Sequence, residues 1–247
     1  MRKFFNWQMM LGLILIALSV AVYYLHYLIF RDAHHIFIYL IGDIAFVFLE
    51  VLLVTLLIHR LLGYREKMSR LKKLNMVVGT FFCEVGTGLL KKFSGSDRKA
   101  ADLQVSLIFG DRMRPSDLNH IHRTIERHDY DIFLSAGFLS ELKDFLLAKR
   151  QFLLDLLGNP NLLEHESFTD LLWAVFHLTE ELNYRSDVSR LTDRDIEHLG
   201  RDVLRAYRQL LREWVNYMGH LNQKYPYLFS LAIRTNPFDT QARVEIK

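Results

Sequence analysis

Two apolar runs at the start of the chain constrain its fold more than anything that follows. Ile36 to Ile58 is unbroken enough, at ~1.5 Å per helical residue, to cross the ~30 Å hydrocarbon layer of a bilayer, and Gln8 to Phe30 is a run of the same kind. Backbone polar groups inside lipid must be satisfied within the segment, so both runs are expected to be helices. The short connection RDAHH makes them antiparallel neighbours. A cleaved signal peptide is the rival reading of the first run, because Ser19-Val20-Ala21 supplies the small residues that a signal peptidase accepts. Apolar sequence continues to Phe30, which favours a span.

The expected fold class is therefore all-α, a two-span transmembrane helical hairpin followed by a cytosolic α-helical bundle. The hairpin takes residues 1–63, with spans about 8–30 and 36–58. A juxtamembrane amphipathic helix occupies 64–93, with Gly63 as a place to bend. Residues 94–99, with Ser94-Gly95-Ser96-Asp97, read as a linker, and 100–247 as the bundle.

Charge sets the orientation. Arg60, Arg65, Lys67, Arg70, Lys72 and Lys73 follow the second span, whereas the connection carries one Arg and one Asp. The positive-inside rule then puts both termini in the cytosol, in a plasma or inner membrane, and the basic run beside anionic lipid headgroups. Residues 1–100 hold 13 Lys/Arg against 6 Asp/Glu, the remainder 18 against 22. With no basic excess away from the headgroups, nucleic acid is not an expected partner. Cys83, the single cysteine, excludes an intramolecular disulfide.

Polar residues inside the spans are the leading site candidates. Asp43 and Glu50 share a seven-residue comb with Leu57, Tyr64, Leu71, Val78 and Val85. A straight α-helix drifts ~20° per heptad against such a comb, so a continuous face requires partner helices and predicts a homo-oligomer. Gly12, Ser19 and His26 form a small-to-polar stripe on the first span, suited to close helix contact. Pairing the hairpin about its connection brings Asp43 near the depth of Val22, within a turn of His26, and Glu50 near the middle of the bilayer. Asp43, Glu50, His26 and Ser19 then mark either an ion or proton path or a set of polar contacts that hold helices together. Two spans enclose no pore, so any transport needs several copies.

Beyond residue 100 the pattern is helical. Ala100 to Phe109, ended by Gly110-Asp111, is followed by a helix from Pro115 to about His128 and another over Gly137 to Leu157. Ser167 and Asp170 resemble a capping box within or at the start of a helix reaching Asn183, and Thr192 and Asp195 a second. Behind the latter, Ile196, Leu199, Val203, Tyr207, Leu210, Trp214, Met218, Leu221 and Tyr225 repeat with an eleven-residue period, the signature of a nearly straight bundle helix. Tyr227 to Ile233 is a short last helix.

Chemistry in this half is sparse. His120, His122, His128, Asp129 and Asp131 cluster in sequence, but His120 and His122 point about 200° apart on a helix and share no metal there. Asp170, His177 and Glu181 share a face opposite Leu171, Leu172, Val175 and Leu182, which reads as solvent-exposed. Glu164-His165-Glu166 sits at a helix start, where acids favour the dipole. Gly86-Thr87-Gly88 lacks the rest of a phosphate-loop fingerprint, and nucleophile elbow, Walker and zinc-protease motifs do not occur. No cofactor and no metal are expected. An oligomeric channel-like assembly with the bundle as gate comes first, a membrane-anchored scaffold recruiting a cytosolic protein second, and a metal-dependent enzyme built on residues 120–131 third.

Overall fold

The structure, a computed structural model, describes residues 2–110, 113–160, 162 and 165–245, without the side chains of 2–6, 8 and 66–73. The chain is all-α and divides into two units, residues 1–67 and 68–247.

The first unit is a helical hairpin. Helix α1 spans Arg2–Phe30 and α2 begins at Ala33, so the connection shrinks to Arg31 and Asp32. Arg31 closes α1 in the left-handed region, at φ 49°, and its N–H donates to the Tyr27 carbonyl. Asp32 then caps α2 by accepting the His35 N–H at 3.2 Å, which draws Ala33, His34 and His35 into the helix. Apolar side chains on both helices are exposed, Leu13 of α1 to 65% and Phe48 of α2 to 75%. Met9–Phe30 and Ala33–Arg65 are each long and apolar enough to cross a membrane.

Helix α2 runs without a break through Gly63 to Phe81, and a single π-helical turn, Phe82–Gly86, joins it to α3, Thr87–Ser96. The separate helix expected over 64–93 is thus replaced by the end of α2, the π-turn and most of α3. From Leu74 onward its apolar face is core: Leu74, Val78, Phe81, Phe82, Val85, Leu89, Leu90 and Phe93 are all buried in the second unit. The extra residue of a π-turn resets the helical phase. That lets adjacent Phe81 and Phe82 both face inward, and it interrupts the seven-residue comb before Val85.

The second unit continues with α4 (Ala100–Leu107), α5 (Pro115–Arg127), α6 (Ala136–Leu157), α7 (Glu166–Asn183), α8 (Asp193–Lys224) and α9 (Pro226–Arg234). Helix α8 packs against α3, α5, α7 and α9, and α6 packs on α7. Its eleven-residue stripe supplies this central role: Leu199, Val203, Tyr207, Leu210, Trp214, Met218 and Leu221 are buried. The Thr192 hydroxyl caps α8 by accepting the Asp195 N–H at 3.2 Å and donating to the Asp195 carboxylate at 2.9 Å. Helix α7 is capped by His165. His165 Nδ1 accepts the Phe168 N–H at 3.2 Å, and Ser167 donates to the same ring nitrogen, so Ser167 lies inside the helix.

The expected linker is a packed junction. Ser94, Ser96 and Asp97 are buried. Asp97 Oδ1 accepts the N–H groups of Lys99 and Asp131, and Oδ2 faces His128 Nε2 at 2.9 Å. Ser96 exchanges two bonds with Phe133, and Asp97 bridges to Ile132.

Gly86 shows how tight the π-turn is. A Cβ there would lie 2.5 Å from Phe82 Cδ1 and 3.0 Å from Phe81 Cε1, both on fully buried rings. Overpacking of this kind costs ~1–3 kcal/mol and outweighs the ~1 kcal/mol that Ala gains over Gly in a helix. Gly86→Ala is therefore expected to lower the thermal midpoint, whereas Gly95→Ala, with open space around it, should hold or raise it. Equal midpoints for the two variants would contradict this packing.

Candidate functional site

Within the hairpin the polar residues separate into different surroundings. The Tyr23 hydroxyl donates to Asp43 Oδ2 across a long 3.4 Å. His26, expected near Asp43, instead stacks parallel to His35 at 6.3 Å and tilts against Phe30, towards the connection. The α2 start at Ala33 explains this, because it moves His35 onto the helix beside His26. His26 Nε2 is buried without a hydrogen-bond partner among the described residues. Ser19 and Glu50 are exposed, and neither bonds to any described side chain. The four residues therefore do not converge on one site within a single hairpin. Arg60 and Arg65 are exposed at the end of the apolar stretch; the side chains of Lys67, Arg70, Lys72 and Lys73 lie outside the described residues.

The histidines of residues 120–131 also disperse. His122 Nε2 donates to Asn216 Oδ1 at 3.0 Å, His128 is committed to Asp97, and Asp129 pairs with Lys99. That lysine holds the Asp129 carboxyl below its usual range. His120 is exposed, so no shared metal position forms there. Of Glu164-His165-Glu166, Glu164 lies outside the described residues and His165 is the α7 cap.

A different set does converge. Helices α7 and α8 are antiparallel across the 184–192 connection, and the faces they turn to each other carry His177, Glu181, His198 and Asp202. His177 Nε2 and His198 Nε2 stand 3.5 and 3.4 Å from Asp202 Oδ2. Glu181 completes the ring, 3.9 Å from His177 Nε2 and 3.6 Å from His198 Nε2. One ligand atom from each of His177, His198 and Asp202 falls within 4.8 Å of the others.

The surroundings hold the two acids in distinct ways. Asp202 is 2% exposed; its Oδ1 pairs with Arg205 at 3.2 Å, while Oδ2 accepts no hydrogen bond among the described residues. Arg185 grips Glu181 Oε2 at 2.6 Å and also reaches Asp195. The hydrogen bond from Arg185 is the main reason that the Glu181 carboxyl sits below its usual range, so it is an anionic acceptor. The two histidine side chains are 45% and 43% exposed, so the cluster opens to solvent on one side.

The face of α7 read as solvated thus lies partly under α8, although Asp170, two turns away, remains exposed. His198 and Asp202 had no prior claim as site residues. A signal for them exists. His177-x-x-x-Glu181 and His198-x-x-x-Asp202 are both one-turn pairs, and they occupy mirrored positions about a point between Ser189 and Arg190, within the α7–α8 connection. An antiparallel helix pair brings such mirrored positions to the same height.

Residues 70–234 match the family described as "Uncharacterized protein MJ1433, C-terminal helical domain", and residues 2–62 match "MJ1433, N-terminal helical domain". The boundary between the two matches falls where the structure changes from exposed hairpin to packed domain. No solved structure matches the chain. A relative in Methanocaldococcus jannaschii, described as "Uncharacterized protein MJ1433", is 43% identical over 237 residues, covering 96% of this chain and 95% of the relative. With both domains matched in order and nearly the whole length aligned, the chain belongs to the MJ1433 family.

Proposed function

We propose that the chain is an integral membrane protein that crosses the bilayer twice, keeps both termini in the cytosol, and self-associates through α2 to form a platform for its helical domain. The observation that carries this reading is the state of Glu50. It lies within the long exposed apolar stretch of α2, and no described side chain of its own hairpin reaches it. A carboxylate at mid-membrane costs ~2.5–3.5 kcal/mol on insertion scales and is normally sheltered by protein or water. A second copy of the hairpin supplies that shelter. Asp43 already has Tyr23, and Glu50 is left for the interface. The basic residues Arg60 and Arg65, with those that follow, support the orientation and a contact with anionic headgroups.

An ion or proton path through such an assembly is the second reading. It is favoured by the seven-residue register of Asp43 and Glu50, which would put both on one axis-facing stripe. Cross-linking and mass measurement in nanodiscs of increasing protein density test both. Wild-type protein should form a discrete oligomer. Interhelical hydrogen bonds in membranes are worth about 0.6–2 kcal/mol, so Glu50→Leu should weaken the assembly by roughly 3- to 30-fold per contact. A strictly monomeric wild-type protein at all densities would remove self-association and the path together. An oligomer that moves no proton or alkali cation across vesicles at any pH or voltage would remove the path alone.

A further inference from the structure

The cluster between α7 and α8 is independent of the membrane reading. Its geometry matches no ordinary hydrogen-bond network. A carboxylate oxygen is nearly fully buried and accepts no hydrogen bond among the described residues, and two imidazole nitrogens face it at 3.4 and 3.5 Å. Leaving a buried carboxylate oxygen unsatisfied costs free energy unless another positive group occupies the space it faces. Arg205 is already spent on the other oxygen of Asp202, and Arg185 on Glu181.

We propose that His177 Nε2, His198 Nε2 and Asp202 Oδ2 are the three protein ligands of a divalent transition-metal site, best matched by Zn²⁺, with a fourth, solvent-facing position beside Glu181. Zinc bonds of ~2.0–2.1 Å to nitrogen and oxygen place tetrahedral ligand atoms about 3.3 Å apart. The two edges that end on Asp202 Oδ2, at 3.5 and 3.4 Å, are close to that spacing. The pair of imidazoles rules against Mg²⁺ or Ca²⁺, which take oxygen ligands. Three protein ligands with one open position is the pattern of a zinc site that keeps a water, rather than of a closed structural site.

The groups behind the ligands fit the same role. Arg205 fixes the rotation of the Asp202 carboxylate by its outer oxygen and leaves Oδ2 turned inward. Glu181 is anchored by Arg185 through Oε2, with Oε1 on the side of His177, where it can accept a hydrogen bond from a metal-bound water. Glu181 is thus a positioning residue beside the fourth site, and the four groups come from two rigid helices rather than from loops.

The test uses the full-length protein in nanodiscs, stripped with a chelator and then dialysed against limiting Zn²⁺ or Co²⁺. One equivalent of metal per chain should be retained, and Co²⁺ should give the intense visible absorption of a four-coordinate nitrogen–oxygen site. His177→Gln and Asp202→Asn should each lower the affinity by at least about 100-fold, and Glu181→Gln by about 10-fold, the range for groups just outside the ligand shell. His177 is half-exposed, so His177→Gln keeps the fold where Asp202→Asn disturbs it, and far-ultraviolet circular dichroism reports which has happened. Wild-type protein that retains no metal at micromolar free Zn²⁺ would overturn the proposal. So would retention unchanged in folded His177→Gln protein, which would place the metal elsewhere.

Discussion

Replacing Asp97 by Ala is expected to remove about 3–5 kcal/mol from the stability of the helical domain, because it leaves several buried donors unsatisfied at ~1–3 kcal/mol each. The side chains of Asp97 and His128 are 0% and 4% exposed. A carboxylate oxygen only accepts, so His128 Nε2 carries the proton in their 2.9 Å contact. The truncation strands that N–H together with the backbone N–H groups of Lys99 and Asp131, both of which Asp97 Oδ1 satisfies. Against a typical total of ~5–15 kcal/mol, such a loss is a large share. Asp97→Asn keeps one oxygen for the two backbone donors and offers an N–H₂ to a His128 that has changed tautomer, so it should recover roughly half of the deficit. Urea midpoints of the full-length protein, followed by near-ultraviolet circular dichroism, measure both. If Asp97→Ala costs under about 1 kcal/mol, or if Asn is no better than Ala, the junction is not held by this carboxylate.

The same junction marks the boundary between what local sequence reveals and what it does not. Helix α8 was readable residue by residue, because one long apolar stripe and a Thr192–Asp195 cap require nothing from elsewhere in the chain. Ser94-Gly95-Ser96-Asp97 has the composition of a linker, yet the partners that bury it, His128, Asp131 and Phe133, lie more than thirty residues away. Polar residues in a short run look alike whether water or protein satisfies them. Likewise, the glycines at 79 and 86 signal close packing, but only the three-dimensional surroundings show that the helix answers with a π-turn instead of a stop.

The candidate sites divide in the same way. Asp43 and Glu50 stand out in sequence because charge within an apolar run is costly wherever it points. The separation of His26 from Asp43 follows from the two-residue connection, which depends on Arg31 adopting a left-handed conformation unusual for its type. His177 and Glu181 were recognisable as a shared face, but reading each helix alone hid His198 and Asp202. Treating α7 and α8 as a hairpin, and reflecting one sequence on the other, would have assembled all four.

Phe168→Ala should be the most damaging single truncation in the apolar core, at about 3–5 kcal/mol. Phe168 is fully buried in the first turn of α7, where its ring meets Phe81 edge to face at 5.4 Å and 84°. Phe81 ends α2, so the contact fastens the last turn of that helix to α7. The cavity has little means of collapsing: Phe81, Leu171 and Leu172 are themselves buried to within 1%, and Phe82 is fixed between Phe81 and a stacked Tyr217 at 5.2 Å. Phe168→Leu retains most of the volume and should lose much less. A double-mutant cycle with Phe81→Ala separates ring contact from simple volume, because edge-to-face pairs carry about 0.5–1.5 kcal/mol beyond their buried area. Coupling of that size between positions 81 and 168 is the expected outcome, and strictly additive losses would mean that the end of α2 is held to the domain by burial alone.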